Sequence, residues 1–127
     1  LWQKGHGKRA WTFFKGALNT HSNNIAILNN VAWMLATDPP AGTDREEAIR
    51  LANRAKDACE VIHPGILDTL AAAYAANGDF KQAVEWSEQA YALAVSNGME
   101  GLALQIDRRT RAYRDGKAWG KDGPVIR

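Results

Sequence analysis

Residues 64–94 read PGILDTLAAAYAANGDFKQAVEWSEQAYALA, two apolar stripes joined through Asn77-Gly78-Asp79, and no other stretch constrains the fold as much. Ahead of the turn, Leu67, Leu70, Ala71 and Tyr74 recur at three- and four-residue spacing, which gathers them on one face of a helix. Behind it, Phe80, Ala83, Val84, Ser87, Ala90 and Tyr91 repeat the pattern. Alanine is dense on both stripes, so two backbones can approach closely and pack as an antiparallel helical hairpin.

The flanking sequence continues in the same way. Residues 1–7 hold two glycines and no stripe, and read as a loose entry. A helix is expected from Lys8, with Ala10, Phe14, Ala17 and Leu18 on one face and Trp11 beside them. The polar run 19–24 ends it and offers caps to a helix over 25–37, whose inward residues are Leu28, Val31, Ala32 and Leu35. Asp38-Pro39-Pro40 stops that helix, because proline lacks an amide and disfavours helix in the residue before it. Thr43 and Glu46 have capping-box spacing and open the next stripe, Ala48, Leu51, Ala52, Ala55, Cys59 and Ile62. Pro64 suits a first helical position, Gly78 a left-handed cap, and Asp79 with Gln82 a second capping pair. A last helix is expected over 99–114, with Met99, Leu102, Ala103, Ile106 and Tyr113 inward, ended by Gly116. The tail 115–127 has no periodicity and is either free or docked by Trp119.

A chain of 127 residues suits one small domain with its own core. A hydrophobic share of 46% argues against disorder, and the uncharged stretch 16–36 is too broken by Asn and His to span a membrane. Cys59 is the single cysteine, so no disulfide forms within the chain. The start at Leu1, without an initiator Met or a signal-peptide pattern, leads us to expect a piece of a longer protein. The net charge of +2 conceals basic ends around an acidic middle: residues 108–127 carry +5 and residues 16–107 carry −7. Such asymmetry can steer partners but says little about fold.

Laid over one another, the segments repeat. Ala10-Phe14-Ala17, Ala48-Ala52-Ala55 and Ala83-Ser87-Ala90 share one spacing; Leu28-Val31-Ala32-Leu35, Leu67-Leu70-Ala71-Tyr74 and Met99-Leu102-Ala103-Ile106 share another. Ala48 and Ala83 are 35 residues apart, and allowing for a longer Pro-Pro loop the period is about 34. Over 8–114 the chain resembles the tetratricopeptide repeat family. Leu67-x-x-Leu70-Ala71-x-x-Tyr74 follows the family's Trp-x-x-Leu-Gly-x-x-Tyr pattern, and Gly78-Asp79-Phe80 matches its turn. Ala52 and Ser87 stand where the family has a bulky residue, and Val95 stands in place of its closing Pro. Asn29-Asn30-Val31-Ala32-Trp33 and Leu67-Asp68-Thr69-Leu70-Ala71 look like bacterial members in which such repeats end a longer protein.

The resemblance implies an all-α fold, a right-handed α-α superhelix of helix hairpins with a C-terminal capping helix. It divides the chain into the second helix of a partial repeat (8–22), repeats at 25–62 and 64–95, a capping helix at 99–114 and a tail. It also implies a groove lined by the first helices, binding a peptide or a partner's surface without catalysis. Asn29, Trp33, Asp68, Ala72, Leu104 and Arg108 lie beside the core stripes of those helices and are the expected partner-binding residues. Family members that grip a carboxylate place Lys or Arg in this groove; Asn29 and Asp68 instead favour a neutral or basic segment.

Two further readings come from the residues themselves. Helix 8–22 has too few residues ahead of it to cover its apolar face, so Trp11, Phe13, Phe14 and Leu18 are candidates for self-association as a homodimer. Arg108, Arg111 and Lys121, with Trp119 to stack on a base, offer a weaker case for binding nucleic acid or an acidic protein, disfavoured by the small net charge. No catalytic residues, metal ligands or cofactor are expected. His6, His21 and His63 lack metal-ligand spacing, and no Gly-rich phosphate loop or nucleophile elbow is present.

Overall fold

The computed structural model describes residues 24–125. Among these, five α-helices account for about 70% of the residues: α1 Ile25–Thr37, α2 Glu46–Ala58, α3 Pro64–Ala76, α4 Phe80–Ser96 and α5 Glu100–Arg114. A two-strand antiparallel ribbon follows, β1 Trp119–Gly120 and β2 Gly123–Pro124. The expected helix 8–22, and with it Trp11, Phe13, Phe14 and Leu18, lies outside the described residues.

Local chemistry sets the helix ends. Asn24 accepts the Ile27 amide, the His63 imidazole accepts that of Gly65, and Asp79 accepts that of Gln82, so three of the helices begin on a side-chain cap. Pro64 occupies the first turn of α3, where its missing amide is no loss. The expected capping box at Thr43 does not form: the Thr43 hydroxyl donates to the Pro40 carbonyl, and Asp44 takes the Glu46 amide at 2.9 Å instead. Gly78 has φ +81°, and the helix before it closes with the Gly78 amide on Ala75 O and the Asp79 amide on Tyr74 O. That paired bond is a Schellman cap, and it recurs at Gly98 and Gly116.

Neighbouring helices pack in sequence. α1 meets α2, α3 meets α4, α4 meets α5, and α1 and α2 both lie against α3. Leu28, Val31, Ala32, Leu35, Leu51 and Leu70 are fully buried in the first part of the core. Each such leucine contributes on the order of 2 kcal/mol by leaving water. Between α3 and α4 the buried stripe residues Ala71, Ala83 and Ala90 are small enough to let the two backbones close. Ser87 is buried against Thr110 of α5. Thr110 spends its proton on the Ile106 carbonyl, so Ser87 is the donor between them and both hydroxyls are satisfied.

Three stripe residues depart from expectation. Tyr91 is exposed, because α4 packs mainly on α3 and α5 and the side bearing Tyr91 meets solvent. Cys59 caps α2, half-buried, and Ile62 falls in the following loop, since the helix stops at Ala58. α3 is buried nearly all round, with ten of its thirteen residues inaccessible.

Candidate functional site

The first helices of the successive pairs, α1 and α3, are brought together with α5, and the ribbon lies against all three. On this shared side the structure assembles a polar and aromatic cluster that draws on four elements.

Its centre is Arg109 of α5. The guanidinium donates to the Asp68 carboxylate of α3 and lies over two indole rings, 4.8 Å from the centroid of Trp33 on α1 and 5.7 Å from that of Trp119 on β1. Its side chain is only 14% exposed. A planar cation between aromatic faces keeps attraction that water would otherwise supply, which makes its burial tolerable. Tyr113 lies one turn after Arg109 and is fully buried. Asn29 lies one turn before Trp33 on α1.

Burial dominates the electrostatics. It pushes the Asp68 carboxyl from 3.8 up to about 6, against the opposing pull of the Arg109 charge and hydrogen bond. Burial also raises the Tyr113 hydroxyl far above its ordinary range; the Asp68 carboxylate adds to the rise and Arg109 opposes it. The cluster is not saturated. Asn29 Oδ1, Asp68 Oδ1, Arg109 Nε and the Tyr113 hydroxyl are buried without a hydrogen-bond partner. Such groups cost free energy where they stand.

The expected binding residues separate into those that join this cluster and those that do not. Trp33 and Asp68 belong to it, and Asn29 lies half-buried one helical turn from Trp33. Ala72 is 1% exposed inside the core, because α3 is covered on every side, and it has no surface for a partner. Leu104, 68% exposed, and Arg108 lie on the outer side of α5. Burial of Ala103, Ile106, Thr110 and Tyr113 sets the rotation of α5 and turns the flank bearing Arg109, not Arg108, towards Asp68. The expected acidic groove is corrected as well: Asp68 is 4% exposed and its charge is answered by Arg109.

Sequence reasoning overlooked Arg109 and Trp119 as parts of the site. Arg109 stands next to a chosen residue and four before the inward Tyr113, a spacing that could have selected it. The Asp68–Arg109 pair spans 41 residues and left no local signal. Other basic residues of α5 are also engaged: Arg111 pairs with Asp107 and Arg114 with Glu88. Among the described residues, no group of three or more His, Cys, Asp and Glu is placed to hold a metal ion, and no helix is long and apolar enough to cross a membrane.

The arrangement sets a largely buried Arg–Asp pair against two indole rings. No protein-family model, curated protein or solved structure matches the chain.

Proposed function

We propose that this chain is a protein-interaction domain of the tetratricopeptide-repeat kind, a piece of a larger bacterial protein that binds a polypeptide segment without catalysis. In this reading α1–α2 and α3–α4 are successive repeats, α5 is the solvating cap, and the pairs stack into a right-handed superhelix. The first-helix side, with Asn29, Trp33, Asp68 and Arg109, is the recognition surface.

The observation that carries the reading is the Arg109 cluster. A cation held by Trp33, Trp119 and Asp68, with buried polar atoms left unpaired around it, is gathered on the side shared by α1, α3 and α5. Large aromatics and arginine are the residues that most often dominate binding energy at protein interfaces. The order of helix contacts, each pair touching the next, also fits a repeat stack. The nucleic-acid reading has less beneath it, because Trp119 lies against Arg109 and Arg111 and Arg114 are paired with acids.

A displayed peptide library selected against the full chain tests the proposal. Ligands should be recovered, and Trp33→Ala should weaken them at least about tenfold while the helical circular dichroism is retained. Ligands that ignore Trp33→Ala refute the surface.

A further inference from the structure

We infer that the ribbon at 119–124 is an intramolecular stand-in for the partner, and that the surface it covers takes an extended segment anchored by an aromatic side chain. The inference rests on the reading of the first-helix side as a binding surface and names the chemistry of what binds there.

β1 touches α1, α3 and α5, the three helices assigned to recognition. Trp119 packs on the group formed by Ala71, Ala75 and Tyr113 and covers one face of the Arg109 guanidinium, the other contact being Trp33. Two residues on, the Lys121 amide donates to the Thr37 carbonyl at the end of α1, 3.2 Å away. An aromatic anchor followed by a main-chain hydrogen bond is how an extended peptide is commonly held. Gly120 sits between these two points, where an added Cβ would lie 3.2 Å from Val125 and 3.8 Å from the Thr37 carbonyl, so the ribbon backbone runs close over the end of α1.

The hold is local. Lys121, Asp122, Pro124 and Val125 are exposed, and a cavity of about 320 Å³ remains between the ribbon and the end of α1 at Thr37 and Asp38. The tail is fixed by Ala118, the half-buried Trp119 indole and the Lys121 amide, while the larger part of the helix core, around Leu28, Leu51 and Leu70, lies away from it. While tethered it is present at an effective concentration of order millimolar, so an outside ligand must outcompete it. Departure of Trp119 would uncover Trp33 and Arg109 together.

The test uses the full chain and a fluorescein-labelled peptide of its own residues 116–125, followed by fluorescence anisotropy. Trp119→Ala should bind the peptide at least about tenfold more tightly than the wild type, the factor expected when a docked tether competes. Lys121→Pro, which removes the amide donor and fixes the backbone at that position while leaving Trp119 in place, should give a smaller gain in the same direction. A peptide in which its own Trp is replaced by Ala should not bind. Equal binding to wild type and both variants, or no binding to any of them, overturns the inference. If library ligands still depend on Trp33 in that case, the recognition surface stands and only its self-occupation falls. Ligands indifferent to Trp33 remove the surface itself.

Discussion

Replacing Arg109 with Met should destabilise the domain in a way that depends steeply on pH. In the wild type the Asp68 carboxyl titrates at about 6 when folded and 3.8 when unfolded. A raised carboxyl stabilises the fold fully below 3.8, and that contribution is lost as the pH rises through about 6; above that both states are ionised and stability changes no further. Arg109 acts on Asp68 only to lower it, so its removal carries the folded value higher still. The buried carboxyl of the variant then stays protonated, and folding loses about 1.4 kcal/mol for each further pH unit. From about pH 6 to about pH 8 the gap between the proteins should widen by up to about 3 kcal/mol. Loss of the two ring contacts adds about 1–2 kcal/mol at every pH. The total agrees with the roughly 3–5 kcal/mol expected when one partner of a buried ion pair is removed. Urea unfolding followed by far-ultraviolet circular dichroism at about pH 5 and about pH 8 measures both ends of the window. A difference of the same size at the two pH values would refute the reasoning, because it would mean that Asp68 is not the group left uncompensated.

Three further outcomes can be checked, two by urea unfolding and one by ligand binding. Tyr113→Phe removes a buried hydroxyl that has no partner, and should leave stability unchanged or raise it by up to about 1 kcal/mol; a loss of more than that in urea would place an unseen partner on the hydroxyl. Asn77→Ala breaks the amide's bonds to the carbonyls of Arg45, 2.8 Å, and Ala73, 3.0 Å, which tie the end of α3 to the start of α2; about 1 kcal/mol should be lost, and no change would make that tie idle. Leu104→Ala and Arg108→Ala lie outside the Arg109 cluster, so ligands selected on the wild type should bind both with unchanged affinity; about a tenfold loss in either would move the site to the outer side of α5.

The helices were legible because their signals are local and repeated. Leu28, Val31, Ala32 and Leu35 announce α1 through spacing alone, and all four are buried. Gly78 and the Asp79 cap follow from residue type, since few residues other than glycine adopt φ +81°. Thr43 shows the limit of such signals. A hydroxyl three residues before a glutamate can cap by accepting an amide, but here the Asp44 carboxylate takes the Glu46 amide and the Thr43 hydroxyl is turned to donate to the Pro40 carbonyl. The site was half legible. Trp33, Asn29 and Asp68 could be picked from their places beside the core stripes. Ala72 could not be excluded, because which side of α3 stays open depends on how much of it its neighbours cover. Arg109 and Trp119 enter through the rotation of α5 and the return of the tail, and both are set by packing between residues far apart in sequence.

Amide hydrogen exchange of the full chain, with and without a selected peptide ligand, tests the central claim most directly. Protection should rise in α1, α3 and α5 around Trp33, Asp68 and Arg109, and should fall at Lys121 as its bond to Thr37 is given up. Protection gained instead on the outer sides of α2 and α4, with Lys121 unchanged, would contradict both the surface and its self-occupation.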